Sequence, residues 1–429
     1  MVRWKHPGQG EIRRVPRSAI RPGSRGDLPV HPVWRFALEK ALLHGGKVPE
    51  GPSGIYSRTT GSSHALKIPH ARGGCRSGRR SRIARSIGEL RIAGIAPLRP
   101  PPTARLYIQR NLLSQSKRIE IAMSVAFLFP GQGSQVPGML HALPDHPSIT
   151  RTLDEVTEAL GQNVLELDSP AALRSTVSVQ MALLASGVAV ARALVAEGGT
   201  PEAVAGMSAG AFAAAVVAGV LNLADGVRLL KLRAERMVEL YPRGYGLAAI
   251  VGLRENEIAT LVEEAYTEQN PVYVGNINAP RQIVIAGSYE GMDKVLEAAR
   301  KRGARKAVRL DVSEPSHCPL LQPVAEALAN SLHALHLHEP KLIYVGNVTG
   351  RALRTEEAIS EDLATNIAHG VRWYDATTVL TELGCRLFLE MPPGHVLSQL
   401  GREAFLDVRT LAVAETSFKH ALLVALNSG

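Results

Sequence analysis

The chain has 429 residues, 45% of them hydrophobic, with 49 Lys and Arg against 39 Asp and Glu. That much apolar sequence can bury one large core or two smaller ones, which excludes disorder throughout. Three widely spaced cysteines, Cys75, Cys318 and Cys385, exclude a disulfide framework or a four-cysteine zinc site and fit a reducing, cytoplasmic compartment.

The net charge of +10 is unevenly placed. Residues 1–122 hold 24 Lys and Arg against 6 Asp and Glu, whereas residues 123–429 hold 25 against 33. The first segment is rich in Arg, Pro, Gly and Ser, and its apolar residues follow neither a strand nor a helix period, so it is not expected to pack a core. A transit peptide would be shorter and would open on an amphipathic Arg/Ser helix; a basic nucleic-acid arm rests on composition alone. The expectation is that 1–122 is a basic extension upstream of the working protein, which begins at Met123, and that no nucleic acid is bound.

From Met123 strands and helices alternate, which predicts an α/β domain on a mostly parallel sheet. Ser124–Phe129 reads as a buried strand, Ala171–Glu197 as a helix, Glu202–Ala205 as a strand, then Ala209–Val220 and Ala224–Leu240 as helices. The uncharged stretch Ala203–Ala224 is long enough to span a bilayer, but it is rich in Ala and Gly, contains a strand-to-helix break and lacks aromatic anchors. A helix buried behind a site is the expectation there, and no membrane partner. Residues 247–312 read as a unit of their own: strand Leu247–Leu253, helix Glu255–Tyr266, strands Val272–Asn276 and Gln282–Ala286, helix Tyr289–Arg302 and strand Lys306–Asp311. This βαββαβ order predicts a ferredoxin-like subdomain inserted in a larger domain formed by 123–246 and 313–429. The α/β pattern resumes with Tyr344–Asn347, Asp375–Leu383 and Leu387–Glu390, and the seam between the two parts is the expected cleft.

The chemical centre is Gly206-Met207-Ser208-Ala209-Gly210. A sharp turn from strand to helix presents the serine hydroxyl at the sheet end, the flanking glycines allow close approach, and the helix N-terminus with the Ala209 N–H faces a developing oxyanion. Among 14 histidines, His317 lies where the chain leaves the inserted unit, well placed to reach a nucleophile at the seam. His333, His336 and His338 form an HxxHxH pattern without a Cys or carboxylate at ligand spacing, which predicts a solvated helix end and no metal.

Several motifs in order resemble one family. Phe129-Pro-Gly-Gln132-Gly-Ser-Gln135, the Ser208 turn, Lys231-Leu-Arg233, Asn276-Ile-Asn278-Ala-Pro before Ile283-Val-Ile-Ala-Gly287, Pro315-Ser-His317-Cys and Pro393-Gly394-His-Val-Leu397 are similar to the malonyl-CoA:acyl carrier protein transacylases. The resemblance covers 123–429 and none of 1–122. Four phrases resemble the malonate decarboxylase epsilon subunit more than the fatty-acid-synthesis enzyme. They are Gly206-Met207-Ser208-Ala209-Gly210-Ala-Phe, Gly244-Tyr-Gly-Leu-Ala-Ala-Ile-Val-Gly252, Asn366-Ile-Ala-His-Gly-Val-Arg-Trp373 and Phe388-Leu-Glu-Met-Pro-Pro-Gly394. Met207, Asn366 and Glu314 depart from the usual pattern of the fatty-acid-synthesis enzyme.

The resemblance implies an α/β-hydrolase-like large domain and an acyl-serine mechanism with malonyl-CoA as donor and no cofactor. Ser208 would be the nucleophile, His317 its base, the N–H groups of Gln132 and Ala209 the oxyanion donors, Arg233 the malonyl carboxylate ligand, and Asn366 the support of His317 through its backbone carbonyl. The acceptor would be an acyl carrier protein, with the carrier subunit of malonate decarboxylase expected ahead of the fatty-acid carrier. A serine hydrolase shares GxSxG but would want an acid between Ser and His in chain order and an HGGG-type loop, and the only HGG, at His44, lies in the basic segment.

Overall fold

A computed structural model describes residues 124–241 and 243–428; the reading of 1–122 as an upstream extension lies outside them. Ser124–Phe129 forms β1, buried from Val125 onward. Its unbroken apolar run suits the middle of a parallel sheet, where both faces are covered. Helix α1 (Pro147–Leu160) follows, then α2 (Thr176–Ala196), β2 (Ala203–Gly206), α3 (Gly210–Val217) and α4 (Leu223–Leu240). The next stretch is β3 (Tyr245–Val251), α5 (Glu255–Ala265), β4 (Val272–Ala279), β5 (Gln282–Ser288), α6 (Tyr289–Lys301) and β6 (Lys306–Arg309). The chain continues through α7 (Gln322–His333), β7 (Ile343–Val345), β8 (Ala352–Leu353), α8 (Glu356–Thr365) and α9 (Trp373–Glu382). It closes with β9 (Cys385–Glu390), α10 (Val396–Ala404), β10 (Arg409–Ala412) and α11 (Phe418–Leu426).

Six strands form a mixed, mostly parallel sheet in the order β10-β9-β1-β2-β7-β8, with only β8 antiparallel to its neighbour. The protein is therefore α/β. Phe129 at the end of β1 pairs with Gly206 at the end of β2. Because parallel strands end on the same edge, the loops carrying Gln132 and Ser208 leave side by side at the carboxyl edge of the sheet. The second sheet is antiparallel, in the order β4-β5-β3-β6. It is tied to the larger part by the backbone of Val371, which accepts from Ile277 N–H (2.8 Å) and donates to Gly275 (2.9 Å).

Three local expectations shift. The helix expected over Ala171–Glu197 starts only at Thr176, because Ser175 is extended (φ −92°, ψ 125°) and separates a short 3-10 turn, Ala172–Arg174, from α2. The stretch Ala203–Ala224 divides as its pattern predicts, into β2, the Ser208 turn, α3 and the start of α4. Among the described residues α2 is the helix long and apolar enough to cross a membrane, but most of it is buried inside the protein, packed on α1, α3 and α4. A helix apolar on all sides needs such a covering. In the small sheet β3 begins two residues early, at Tyr245. Strands β4 and β5 run further than their sequence pattern, since register shifts in β4 restore pairing up to Ala279 opposite Gln282.

Candidate active site

Between the end of β2 and the start of α3, Met207, Ser208 and Ala209 make the turn. Ser208 has φ 56°, a left-handed conformation that costs a non-glycine residue energy and persists only where its surroundings impose it. A Cβ on Gly206 would overlap the Gly210 carbonyl, and one on Gly210 would overlap the Phe129 carbonyl, so both glycines are required by close backbone approach. Asn347 holds the turn from the side. Its Oδ1 accepts from the Ser208 N–H (2.9 Å) and its Nδ2 donates to the Gly206 carbonyl (2.9 Å). Asp362 in turn accepts from the N–H groups of Asn347 (2.8 Å) and Val348 (2.9 Å), which fixes Asn347.

Two side chains meet the Ser208 hydroxyl. His317 Nε2 lies 2.7 Å from Oγ, and Arg233 Nη2 donates to the same Oγ at 2.9 Å. On its other side His317 Nδ1 is 2.6 Å from the backbone carbonyl of Asn366. A carbonyl only accepts, so Nδ1 carries the ring proton and Nε2 presents its lone pair to Ser208. Burial pushes the His317 pKa down to about 3, with the Arg233 charge acting in the same direction, so the ring is neutral at physiological pH.

Arg233, on α4, is buried, 1% exposed. Its Nη1 donates to Gln180 Oε1 (2.9 Å), and its Nε has no partner among the described residues. Burial lowers its pKa to about 9 against the opposing charge of Glu314, which leaves it a cation at neutral pH. The Gln132 side chain lies between Thr176 (3.3 Å) and Gln180 (3.4 Å). The N–H groups of Gln132 and Ala209 donate to no backbone acceptor among the described residues. Ser208, His317, Arg233 and the Asn366 carbonyl thus converge. The Asn366 side chain is buried with both polar atoms unpartnered among the described residues, and it is the backbone carbonyl that meets the histidine.

The other histidines are elsewhere. His369 Nδ1 faces the Thr365 carbonyl at the surface (3.0 Å), and His395 pairs with Glu415 (2.9 Å). His336 and His338 pack edge to face, and no cluster of His, Cys, Asp or Glu able to hold a metal occurs among the described residues. Asn347, Gln180 and Thr176 went unread in the sequence. Gln180 left one trace, a lone amide inside the apolar helix run VSVQMALLAS.

An acyl transferase domain model matches residues 126–420. The malonyl CoA-acyl carrier protein transacylase of Escherichia coli is 37% identical over 307 residues, covering 70% of this chain and 98% of that protein. The solved malonyl CoA-acyl carrier protein transacylase of Coxiella burnetii superposes with a TM-score of 0.68 at 33% identity, covering 71% of this chain and 98% of that one. A malonyl-transacylase solved in complex with a type II polyketide synthase acyl carrier protein gives 0.67 at 35% identity, covering 71% and 100%. The class is that of the acyl transferases. Within it, the chain belongs to the malonyl-CoA:acyl carrier protein transacylase family.

Proposed function

We propose that the chain moves a malonyl group from malonyl-CoA to the thiol of an acyl carrier protein through an acyl-serine. The observation that carries this reading is the Ser208 hydroxyl held between a neutral, buried imidazole and a buried guanidinium. Ser208 Oγ attacks the thioester carbonyl as its proton passes to His317 Nε2, and the N–H groups of Gln132 and Ala209 receive the oxyanion. Collapse breaks the carbon–sulfur bond, and the CoA sulfur leaves with the proton from His317. The carrier thiol then gives its proton to His317 and attacks the malonyl ester; Ser208 leaves and regains the proton. The Asn366 carbonyl keeps the tautomer that both half-reactions need, a role that an acid fills in a Ser-His-Asp triad.

Arg233 accounts for the choice of malonyl. A guanidinium binds the free carboxylate through two parallel charge-assisted hydrogen bonds, which an acetyl group cannot engage. For the acceptor, the named relatives support an acyl carrier protein as in fatty-acid synthesis better than the carrier subunit of malonate decarboxylase. The latter rests on the phrases around Met207, Gly244, Asn366 and Phe388 and is the second reading. A cytoplasmic setting belongs to the same proposal. So does a ferredoxin-like insert, residues 247–312, in an α/β-hydrolase-like domain, supported by the strand order of the small sheet.

The test is covalent labelling with malonyl-CoA before any carrier is added. Wild type is expected to form a malonyl-enzyme and Ser208→Ala none; undiminished labelling of the mutant sinks the reading. In Arg233→Ala the malonyl-to-acetyl ratio of kcat/KM should collapse by the equivalent of about 2–5 kcal/mol, the cost of leaving a buried charge unpaired. Offering both purified carriers to the malonyl-enzyme decides the acceptor.

A further inference from the structure

A run of hydrogen bonds leads from Arg233 away from Ser208. Arg233 Nη1 donates to Gln180 Oε1 (2.9 Å), Gln180 Nε2 to Gln132 Oε1 (3.4 Å), Gln132 Nε2 to Thr176 Oγ1 (3.3 Å) and Thr176 Oγ1 to Glu314 Oε1 (3.0 Å). Every donor points the same way, so the run begins on a cation and ends on a carboxyl group. Glu314 is 3% exposed and its Oε2 has no hydrogen-bond partner among the described residues. It is also the charged group whose field reaches Arg233, and the two act on each other reciprocally. Burial raises the Glu314 pKa, while the Thr176 hydroxyl and the guanidinium both favour its ionised form. A buried carboxylate that terminates such a run but has no direct ion-pair partner among the described residues is a poor structural device.

We infer that Glu314 is a positioning residue that sets acyl selectivity: its carboxylate shares the Arg233 charge, directly and through Gln180, Gln132 and Thr176, and so competes with the malonyl carboxylate for the guanidinium. This rests on the reading of Arg233 as the carboxylate ligand. When malonyl is bound, two anions face one cation, and their repulsion offsets part of the attraction. A neutral acyl group meets no such penalty. Glu314 therefore narrows the advantage of malonyl over acetyl, and eases loss of the malonyl group from the site once it has been transferred.

The experiment measures kcat and KM for malonyl-CoA and acetyl-CoA on the full chain in wild type, Glu314→Gln and Glu314→Asp. Gln keeps an acceptor for Thr176 and removes the charge; Asp keeps the charge. Glu314→Gln should raise the malonyl-to-acetyl ratio of kcat/KM about tenfold, mainly through a lower KM for malonyl-CoA. The rise reads out the repulsion that the removed charge exerts on the malonyl carboxylate. Glu314→Asp should hold the ratio within about twofold of wild type, because the negative charge that repels the malonyl carboxylate is still present. An unchanged or lowered ratio in Glu314→Gln, or an equal rise in Glu314→Asp, overturns the inference. Combining Glu314→Gln with Arg233→Ala separates the two readings. If Arg233→Ala collapses the ratio and Glu314→Gln partly restores it in that background, both stand, because the two carboxylates repel each other with or without the guanidinium. If Arg233→Ala collapses it but Glu314→Gln leaves it unmoved in that background, only the Glu314 inference fails. A ratio unmoved by Arg233→Ala removes the carboxylate ligand itself.

Discussion

In the six-stranded sheet β1 is buried along its whole run from Val125 to Phe129, whereas β3 of the four-stranded sheet alternates, with Gly246, Ala248 and Ile250 buried and Leu247, Ala249 and Val251 partly exposed. The first pattern requires helices on both faces, and the second requires them on one. A strand packed on both sides has little freedom at its end, so the turn after β2 can hold Ser208 in a costly left-handed conformation. The small sheet supplies none of the groups that touch the Ser208 hydroxyl. It contributes through its exit, since the chain leaving β6 carries Glu314 and His317 into the larger part.

This contrast can be broken most severely at Gly210. Gly210→Ala forces a Cβ into the backbone carbonyl of Phe129, which cannot swing aside as a flexible side chain would. A cost of about 3 kcal/mol or more is expected, seen as a fall in the thermal midpoint and loss of malonyl labelling. A variant that folds and labels like wild type would show that the turn is loose.

Asn347→Ala should act next. It removes the acceptor of the Ser208 N–H and the donor to Gly206, so kcat is expected to fall about 10- to 100-fold as the hydroxyl loses its aim. Stability should drop by about 1–3 kcal/mol, from the buried groups left unpaired. Equal losses in kcat and stability at Gly206 substitutes alone, with Asn347→Ala silent, would assign the strain to the glycines.

Acid titration separates the two parts by mechanism. The His317 pKa is lowered to about 3, so the reactive neutral ring persists far below the ordinary imidazole range, and kcat/KM should stay flat down to about pH 5 rather than halve near 6.5. Stability has the matching sign. Between the folded value and about 6.5 the unfolded chain binds the proton and the folded chain does not, so His317 lowers stability progressively as pH falls through that window. His317→Gln should remove this slope. A rate limb near 6.5 in the wild type would mean that the ring is open to water.

The smallest effect on chemistry is expected from the small sheet. Ile250, fully buried in its core, when replaced by Ala should cost about 2–5 kcal/mol of stability while the malonyl-to-acetyl ratio remains that of wild type. A changed ratio would show that the small sheet shapes the acyl site as well as delivering the histidine.

Much of this was legible along the chain because it depends on local pattern. The unbroken apolar run of β1, the alternation of β3 and the Gly-x-Ser-x-Gly spacing each state their own surroundings, and His317 could be singled out by where the chain re-enters the large domain. Asn347 could not, because it meets Ser208 across 139 residues and sits in no pattern of its own. Asn366 was read for its carbonyl, and that is the atom that faces His317; its side chain is bypassed. Thr176 and Gln180 look like ordinary members of an apolar helix until α2 is laid beside α4 and the loop after β1.

The sequence by itself therefore determined the α/β class, the two sheet types and the serine turn, since periodicity and short-range turn chemistry are written locally, whereas Arg233 and the Asn366 carbonyl were named through the family resemblance. Only the tertiary structure decided which polar groups are buried together. A hydrogen bond between distant segments leaves no mark on either one, and the fields of Glu314 and Arg233 matter only because folding takes both out of water.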